Sequence, residues 1–427
     1  GKDFFENSGI IGGNISLGGD ADVFRDFGGT ITGIVQLGDG DDILVIDPEI
    51  TRGVISGGID SGAGFDSFGV SILGEKKVTL QSDAFFEGLA IETRTAESRA
   101  TIEETSSEYS STLSIFGSGT VVNEADFTVS TQEVVRLLSD TSPSYSNLEF
   151  EDGPFGQGVN FVNKGVLTRT GTGSETAITS IGNGHDMVEN YGTITGDIDL
   201  AEGNDMFLSL EGDVFGNVQL GAGNDTFFYV PHIEYFRPIA EPGESITWVG
   251  IQDIPAGGMD RITGNIDGGD GFDAAGLYIK GTARGDLFLV DGFESSAVFV
   301  DGENSQFTIT NSDTVLPVLS LFGNGTVINN ATIDSDLHGG FGTYENKSAV
   351  RLKDDGLKFE NNGIISGFIG VDMLANGQTF TNKADLVRGS KSGDSTGNQG
   401  FIQDHGNNNT IINEGSITTT AFYNSSI

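Results

Sequence analysis

The stretch Asn190–Phe227, NYGTITGDIDLAEGNDMFLSLEGDVFGNVQLGAGNDTF, states one pattern twice. Ile198, Leu200, Gly203, Asp205 and Phe207 in its first half fall over Val218, Leu220, Gly223, Asp225 and Phe227 in its second, a step of 20 residues at every position. A fixed period of this size marks stacked coils rather than a single globular core. Within a step, Ile194, Gly196, Ile198 and Leu200 alternate with polar residues, as in a strand with one buried face. Gly-x-Gly-Asn-Asp then ends the strand, because Gly accepts positive φ and Asn or Asp bonds its own backbone in turns. The predicted class is all-β, a parallel β-helix (β-solenoid) with loop insertions.

The same turn signature recurs six times, marked by Asp22, Asp42, Asp66, Asp205, Asp225 and Asp273. A second signature, apolar-x-Asn-x-Gly/Ala-x-apolar, occurs at Asn7, Asn123, Asn163, Asn190, Asn329, Asn361, Asn382 and Asn413. Two explanations fit a recurrent Asn. Its amide bonds the next coil in a ladder, or Asn is there because it tolerates turn geometry. Neither makes it catalytic.

At 427 residues the chain is too long for one ordinary globular core, and the repeats rather than the length set its division. Sixty-five glycines and eight prolines, with short runs of Val, Ile, Leu and Phe, give a turn-rich all-β composition. The net charge of −41 argues against nucleic acid and anionic membrane surfaces as partners, and for cations. With no cysteine there are no disulfides, which leaves the compartment open. No apolar run reaches the roughly 18 to 20 residues of a transmembrane helix. The chain begins at Gly1 without a signal peptide, so a processed form or an excerpt of a longer protein is expected.

Distant parts repeat as well. Asn7, Asp22 and Asp42 return as Asn190, Asp205 and Asp225, each 183 residues later, and Asp66 and Phe86 return as Asp273 and Phe293, each 207 later. LSIFGSGTVVNEA (113–125) and LSLFGNGTVINNA (319–331) repeat at nearly the same distance. The change of offset places an insertion at about 229–258, which holds Tyr235, Phe236, Trp248 and four of the eight prolines. The expected organisation is a first β-helix module at 1–189, a second at 190–410 carrying the inserted loop, and the start of a further coil at 411–427. Residues 92–111 and 131–157 lack alternation and are expected as loops or irregular coil. An open coil edge is a template for β pairing, which makes self-association with neighbouring subunits an expected contact.

The strings NYGTITG (190–196), NNGIISG (361–367) and NEGSITT (413–419), with LGAGNDTF (220–227) and LGDGDDIL (37–44), resemble the β-helical passenger regions of bacterial autotransporters and related large surface adhesins over most of the chain. That resemblance implies a right-handed parallel β-helix, extracellular, at the bacterial cell surface or secreted. The membrane-translocating barrel of such proteins is not recognisable in the sequence. A second resemblance is to the calcium-binding nonapeptide of RTX proteins, Gly-Gly-x-Gly-x-Asp-x-apolar-x. Gly268, Gly269, Gly271 and Asp273 match its glycines and Asp, and Gly38, Gly40, Asp42 and Leu44 match with Leu37 in place of the first Gly. In that family the turns follow without a gap; here they return after 20 or 24 residues. The resemblance implies calcium as a cofactor at the turn aspartates.

Stacking would set Asp22 over Asp42, and Asp205 over Asp225, at the ~4.8 Å spacing of adjacent strands, where two carboxylates repel and invite a bridging cation. The alternative is that each Asp caps its own turn. The 62 acidic residues single out no catalytic pair, and His185, His232, His338 and His405 share no motif. The expected function is a non-enzymatic structural or adhesive surface protein, a stalk, filament or surface-layer subunit. A carbohydrate-active β-helix, as in polysaccharide lyases and tailspike-like hydrolases, and a calcium-responsive secreted module are the alternatives. Tyr235, Phe236 and Trp248 are the predicted contacts with a neighbouring subunit or with a cell-surface or glycan ligand.

Overall fold

A computed structural model of the chain describes residues 1–49, 54–104, 108–139, 158–171, 175–229, 262–287, 293–311, 315–316, 318–335, 348–367, 369–388 and 402–419. Its regular elements are β-strands, joined in long parallel sheets. The chain is a parallel β-solenoid whose strands stack coil on coil in these sheets. Two compact units are present, Gly1–Gly223 with Asp260–Gly269, and Asn224–Met259 with Asp270–Ile427. The inserted segment, with Tyr235, Phe236 and Trp248, lies outside the described residues.

The first sheet of the first unit has eleven strands, from Phe4–Asn7 through Val23–Asp26 and Ile43–Ile46 to Ile266–Asp267. Equivalent residues of successive coils stand in register, so Phe5, Phe24, Leu44, Phe68, Leu89, Leu113 and Val135 form one inward line. Phe24, Leu44, Leu113 and Val135 are wholly buried, and each such side chain stabilises the fold by about 1.5–3 kcal/mol. A second sheet of this unit contains Arg99–Ile102, Thr120–Asn123, Asn160–Asn163, Met187–Asn190 and Met206–Ser209. In the second unit, one row of strands runs through Leu319–Gly323, Ser348–Leu352 and Ile369–Met373, and another through Thr326–Asn329, Lys358–Asn361 and Thr379–Asn382. Val298, Leu321, Phe359 and Phe380 lie in its core.

The sequence repeat and the sheets are different divisions of the chain. Asn7 and Asn190 are equivalent by repeat, yet Phe4–Asn7 opens the first sheet while Met187–Asn190 belongs to the second. Their successors behave alike: Val23–Asp26 pairs within the first sheet and Met206–Ser209 within the second. When the repeat begins again, its pattern is therefore laid on a different face of the solenoid.

The one-buried-face pattern fails on part of the first sheet, where strands Gly88–Thr93 and Leu113–Gly117 are buried on both sides. The outward residues at Gly69, Gly88, Ala90 and Ser114 are small, and larger side chains lie over them. A Cβ added at Gly88 would fall 2.7 Å from the Phe65 ring, which places that ring on the glycine. The Arg136 guanidinium caps Phe65 at 4.1 Å from the ring centre. Arg25 pairs with the buried Glu92 and lies over Phe4 at 4.3 Å. Val23, Ile43, Val45, Ala90 and Phe116 form an outer apolar cluster beside these groups.

Both explanations offered for the recurrent Asn hold at once. Asn123 accepts the Ala125 N–H at 3.1 Å and donates to the Ala125 carbonyl at 2.8 Å, closing its own corner. Its amide also donates to Asn163 Oδ1 at 3.0 Å, and Asn163 to Asn190 at 2.9 Å. In the second unit, Asn329, Asn361, Asn382 and Asn413 are linked in the same way at 2.8, 2.9 and 2.8 Å. Asn7 accepts the Gly9 N–H at 3.1 Å in the corner bond, and its neighbour in the next coil is Asp26 rather than Asn. A buried amide bonded on both sides is costly to remove, since its neighbours then lose partners that water cannot replace. Asn361→Ala is expected to lower unfolding stability by about 3 kcal/mol, and Asn362→Ala, one residue along on the exposed side, by well under 1 kcal/mol. Denaturant titration of both variants checks this ordering.

Candidate functional site

Glycines with positive φ shape the turns before Asp42, Asp66, Asp205 and Asp225, whereas Asp20 takes the equivalent place before Asp22. Gly40 and Gly64 have φ of 145° and 140°, and a Cβ on Gly64 would fall 1.9 Å from the Gly40 carbonyl oxygen of the coil beside it. Only glycine suits both demands. The Asp two residues later turns inward: Asp22, Asp42, Asp66, Asp205, Asp225 and Asp273 are all buried.

The backbone N–H bonds that Asp22, Asp42, Asp66, Asp205 and Asp273 accept are not the caps of their own turns that the sequence offered as one reading. Each reaches across to an adjacent coil. Asp22 Oδ1 accepts the Asp3 N–H at 2.6 Å, Asp42 Oδ1 the Asp22 N–H at 2.8 Å, and Asp66 Oδ1 the Asp42 N–H at 2.9 Å. The seam ends on Glu87, whose Oε2 accepts the Asp66 N–H at 3.0 Å. A second run in this unit links Val159, Asp186 and Asp205 through bonds of 2.7 Å each. In the second unit, Asp273 accepts the Asp225 N–H at 2.8 Å, and Glu294 the Asp273 N–H at 2.9 Å. The strand corner therefore keeps its hydrogen bonds where the backbone carbonyl has turned away.

Sequence reasoning missed Asp186, Glu87 and Glu294 as members of these seams. Asp186 was legible, since Gly182-Asn-Gly-His-Asp186 repeats the Gly-x-Gly-x-Asp string. Glu87 and Glu294 lack the glycines; their extra methylene lets them end the run from an irregular turn. His185 also serves a turn, accepting the Asn204 N–H through Nδ1 at 2.8 Å. His232 and His338 lie outside the described residues.

Calcium needs six to eight oxygens at about 2.3–2.6 Å, and the seam does not assemble them. One oxygen of each bonded carboxylate is committed to an amide. Asp22 Oδ2 and Asp42 Oδ2 are buried without a hydrogen-bond partner, but they supply only one oxygen per coil. Asp22 and Asp42 are 1% and 0% exposed. Among the described residues, no group of three or more His, Asp or Glu side chains comes together as a metal cluster. The Asp22 and Asp42 carboxylates alone therefore do not supply a calcium shell.

Their electrostatics instead favour the proton. Desolvation by burial raises the Asp42 carboxyl from 3.8 to about 6, and the charges of Asp66, Asp22 and Asp41 add to the rise against the lowering effect of the Asp22 amide. Asp22, Asp66 and Asp186 shift upward for the same first reason. A carboxyl whose pKa is raised by folding contributes its full stability below the unfolded value of about 3.9, and loses it as pH rises through the folded value. The protein is therefore expected to melt at a higher temperature near pH 5 than near pH 7.5, over and above general charge repulsion. Asp42→Asn keeps an Oδ1 acceptor for the Asp22 N–H and loses the charge. It should flatten this pH dependence and leave the melting temperature at about pH 7.5 equal or higher, in millimolar calcium and in chelator alike. A drop confined to the calcium sample would show that Asp42 is a metal ligand after all.

No helix among the described residues is long and apolar enough to cross a membrane. The sequence matches no protein-family model and no curated protein, and no solved structure matches the fold.

Proposed function

We propose that the chain is a non-enzymatic, extracellular structural or adhesive protein of a bacterial surface, a β-solenoid stalk, filament or surface-layer subunit. One observation carries this reading: the residue types that recur with the repeat are engaged in holding coil to coil. The six motif aspartates and all the motif asparagines except the exposed Asn413 are buried in seams. Asp42 and Asp186, whose pKa values burial shifts upward, are engaged in the same seams, each accepting a backbone N–H of another coil. Likeness of NYGTITG and LGAGNDTF to autotransporter passengers supports the extracellular setting. Neighbouring subunits or a glycan-bearing surface are the partners this reading implies.

The purified chain should bind without turnover. Incubation with a panel of bacterial and plant polysaccharides is expected to release no new reducing ends and no unsaturated products. Depolymerisation that is lost on substituting an acidic pair would replace this reading with the carbohydrate-active one.

A further inference from the structure

The outer face of the first sheet carries a cavity of about 400 Å³ beside the outer apolar cluster. Ile43, Ser67, Ser114, Arg136, Leu138 and Ile181 line it, and register joins them across coils: Ser67 lies beside Ile43, Ser114 beside Arg136, and Leu138 beside Ile181. Small neighbours leave the space open. Gly88 stands beside Ser67, and a Cβ there would fall 2.5 Å from the Ser67 Oγ. The larger walls are apolar: Ile43 at 4% exposure, Leu138, which packs on the outer apolar cluster, and Ile181 at 47%.

The lining holds one hydrogen-bond donor in excess. Ser67 and Ser114, both buried, bond to each other Oγ to Oγ at 3.1 Å, and neither hydroxyl makes a further bond among the described residues. Two hydroxyl protons share one such bond, so one O–H is left without an acceptor. The other polar groups nearby are committed. Ser139 donates to Asp186 at 3.1 Å, and Arg136 lies over Phe65 and is held by Asp41, Glu133 and Gln132. Lys2 and Arg136 against Asp20 and Asp41 give the lining two charges of each sign, so it offers a guest no net charge.

We propose that this cavity binds an uncharged, mainly apolar small molecule that bears one carbonyl oxygen. Its volume lies within the ~300–1,000 Å³ of small-molecule sites, whose walls are apolar in the main with a few placed polar groups. The carbonyl oxygen accepts the spare proton of the Ser67–Ser114 pair, making a bond that burial otherwise leaves unmade. The hydrocarbon part lies against Ile43, Leu138 and Ile181, out of water. An ionic guest would give up its hydration for a lining whose charges already balance, which selects against it. This inference goes beyond the structural or adhesive reading and does not rest on it.

The test uses the full chain and three probes of similar size, the neutral ketone benzylacetone, anionic phenylbutyrate and cationic phenylbutylamine, titrated by saturation-transfer NMR. Saturable binding of the ketone is expected, with both ions weaker. Replacing Ser67 and Ser114 together by Ala should weaken the ketone about threefold to tenfold, the worth of one neutral hydrogen bond. Ile181→Glu, chosen because its side chain is half exposed, sets a charge on an apolar wall and should weaken the ketone at least about fivefold. Ile364→Glu, at a residue of similar exposure in the second unit, should change nothing, which excludes general adsorption to the surface. Melting curves of the variants check that the fold is kept. Absence of ketone binding, binding indifferent to Ile181→Glu or to the double Ala variant, or tighter binding of either ion would each overturn the site. Polysaccharide turnover would overturn the non-enzymatic reading and leave ketone binding in place, so the two failures are distinguishable.

Discussion

Stacking parallel coils one strand apart sets every side chain beside its equivalent in the next coil, and the rest of the structure follows from that constraint. Apolar residues satisfy it by contact, as in the line from Phe5 through Leu44 to Val135. Buried polar residues satisfy it only if donor meets acceptor at every step. An amide side chain does so indefinitely, since it has both donor and acceptor, and the Asn329–Asn413 run shows this. A carboxylate accepts only. The aspartate seam therefore pairs each carboxylate with a backbone N–H rather than with the next carboxylate.

That difference sets how the two seams respond to solution conditions. Amide ladders carry no charge, and pH leaves them unchanged. The aspartate seam holds groups that burial shifts toward the protonated form, in a chain whose net charge of −41 already opposes compaction at neutral pH. Mild acid relieves both burdens. Metal is one way to neutralise stacked carboxylates and protonation is another; the oxygen count at Asp22 and Asp42 favours the second.

The fold class was legible because period and alternation are local properties, visible in Ile194 to Leu200 without any partner. What alternation cannot show is a strand whose pairing is dictated by its neighbours. Residues 92–111 look irregular, yet Arg99–Ile102 pairs there with Glu75–Val78 and Thr120–Asn123; Val135–Ser139 does likewise within 131–157. The outer apolar layer was equally hidden, because Gly69, Gly88 and Ala90 read as weak strand residues until Phe65 and Arg136 are placed over them. The turn aspartates were found, but not their direction: a one-dimensional motif does not distinguish a cap on its own turn from a bond to the next coil.

The central claim is that side chains, not only backbone ladders, join coil to coil at the turns. Residue-resolved amide hydrogen exchange tests it most directly at Asp22, Asp42 and Asp225, whose N–H groups donate to carboxylates of adjacent coils. Protection of these three amides comparable to that of Leu44 and Phe228 in the core strands is the predicted result. Exchange at the rate of solvent-exposed turn amides would contradict the account.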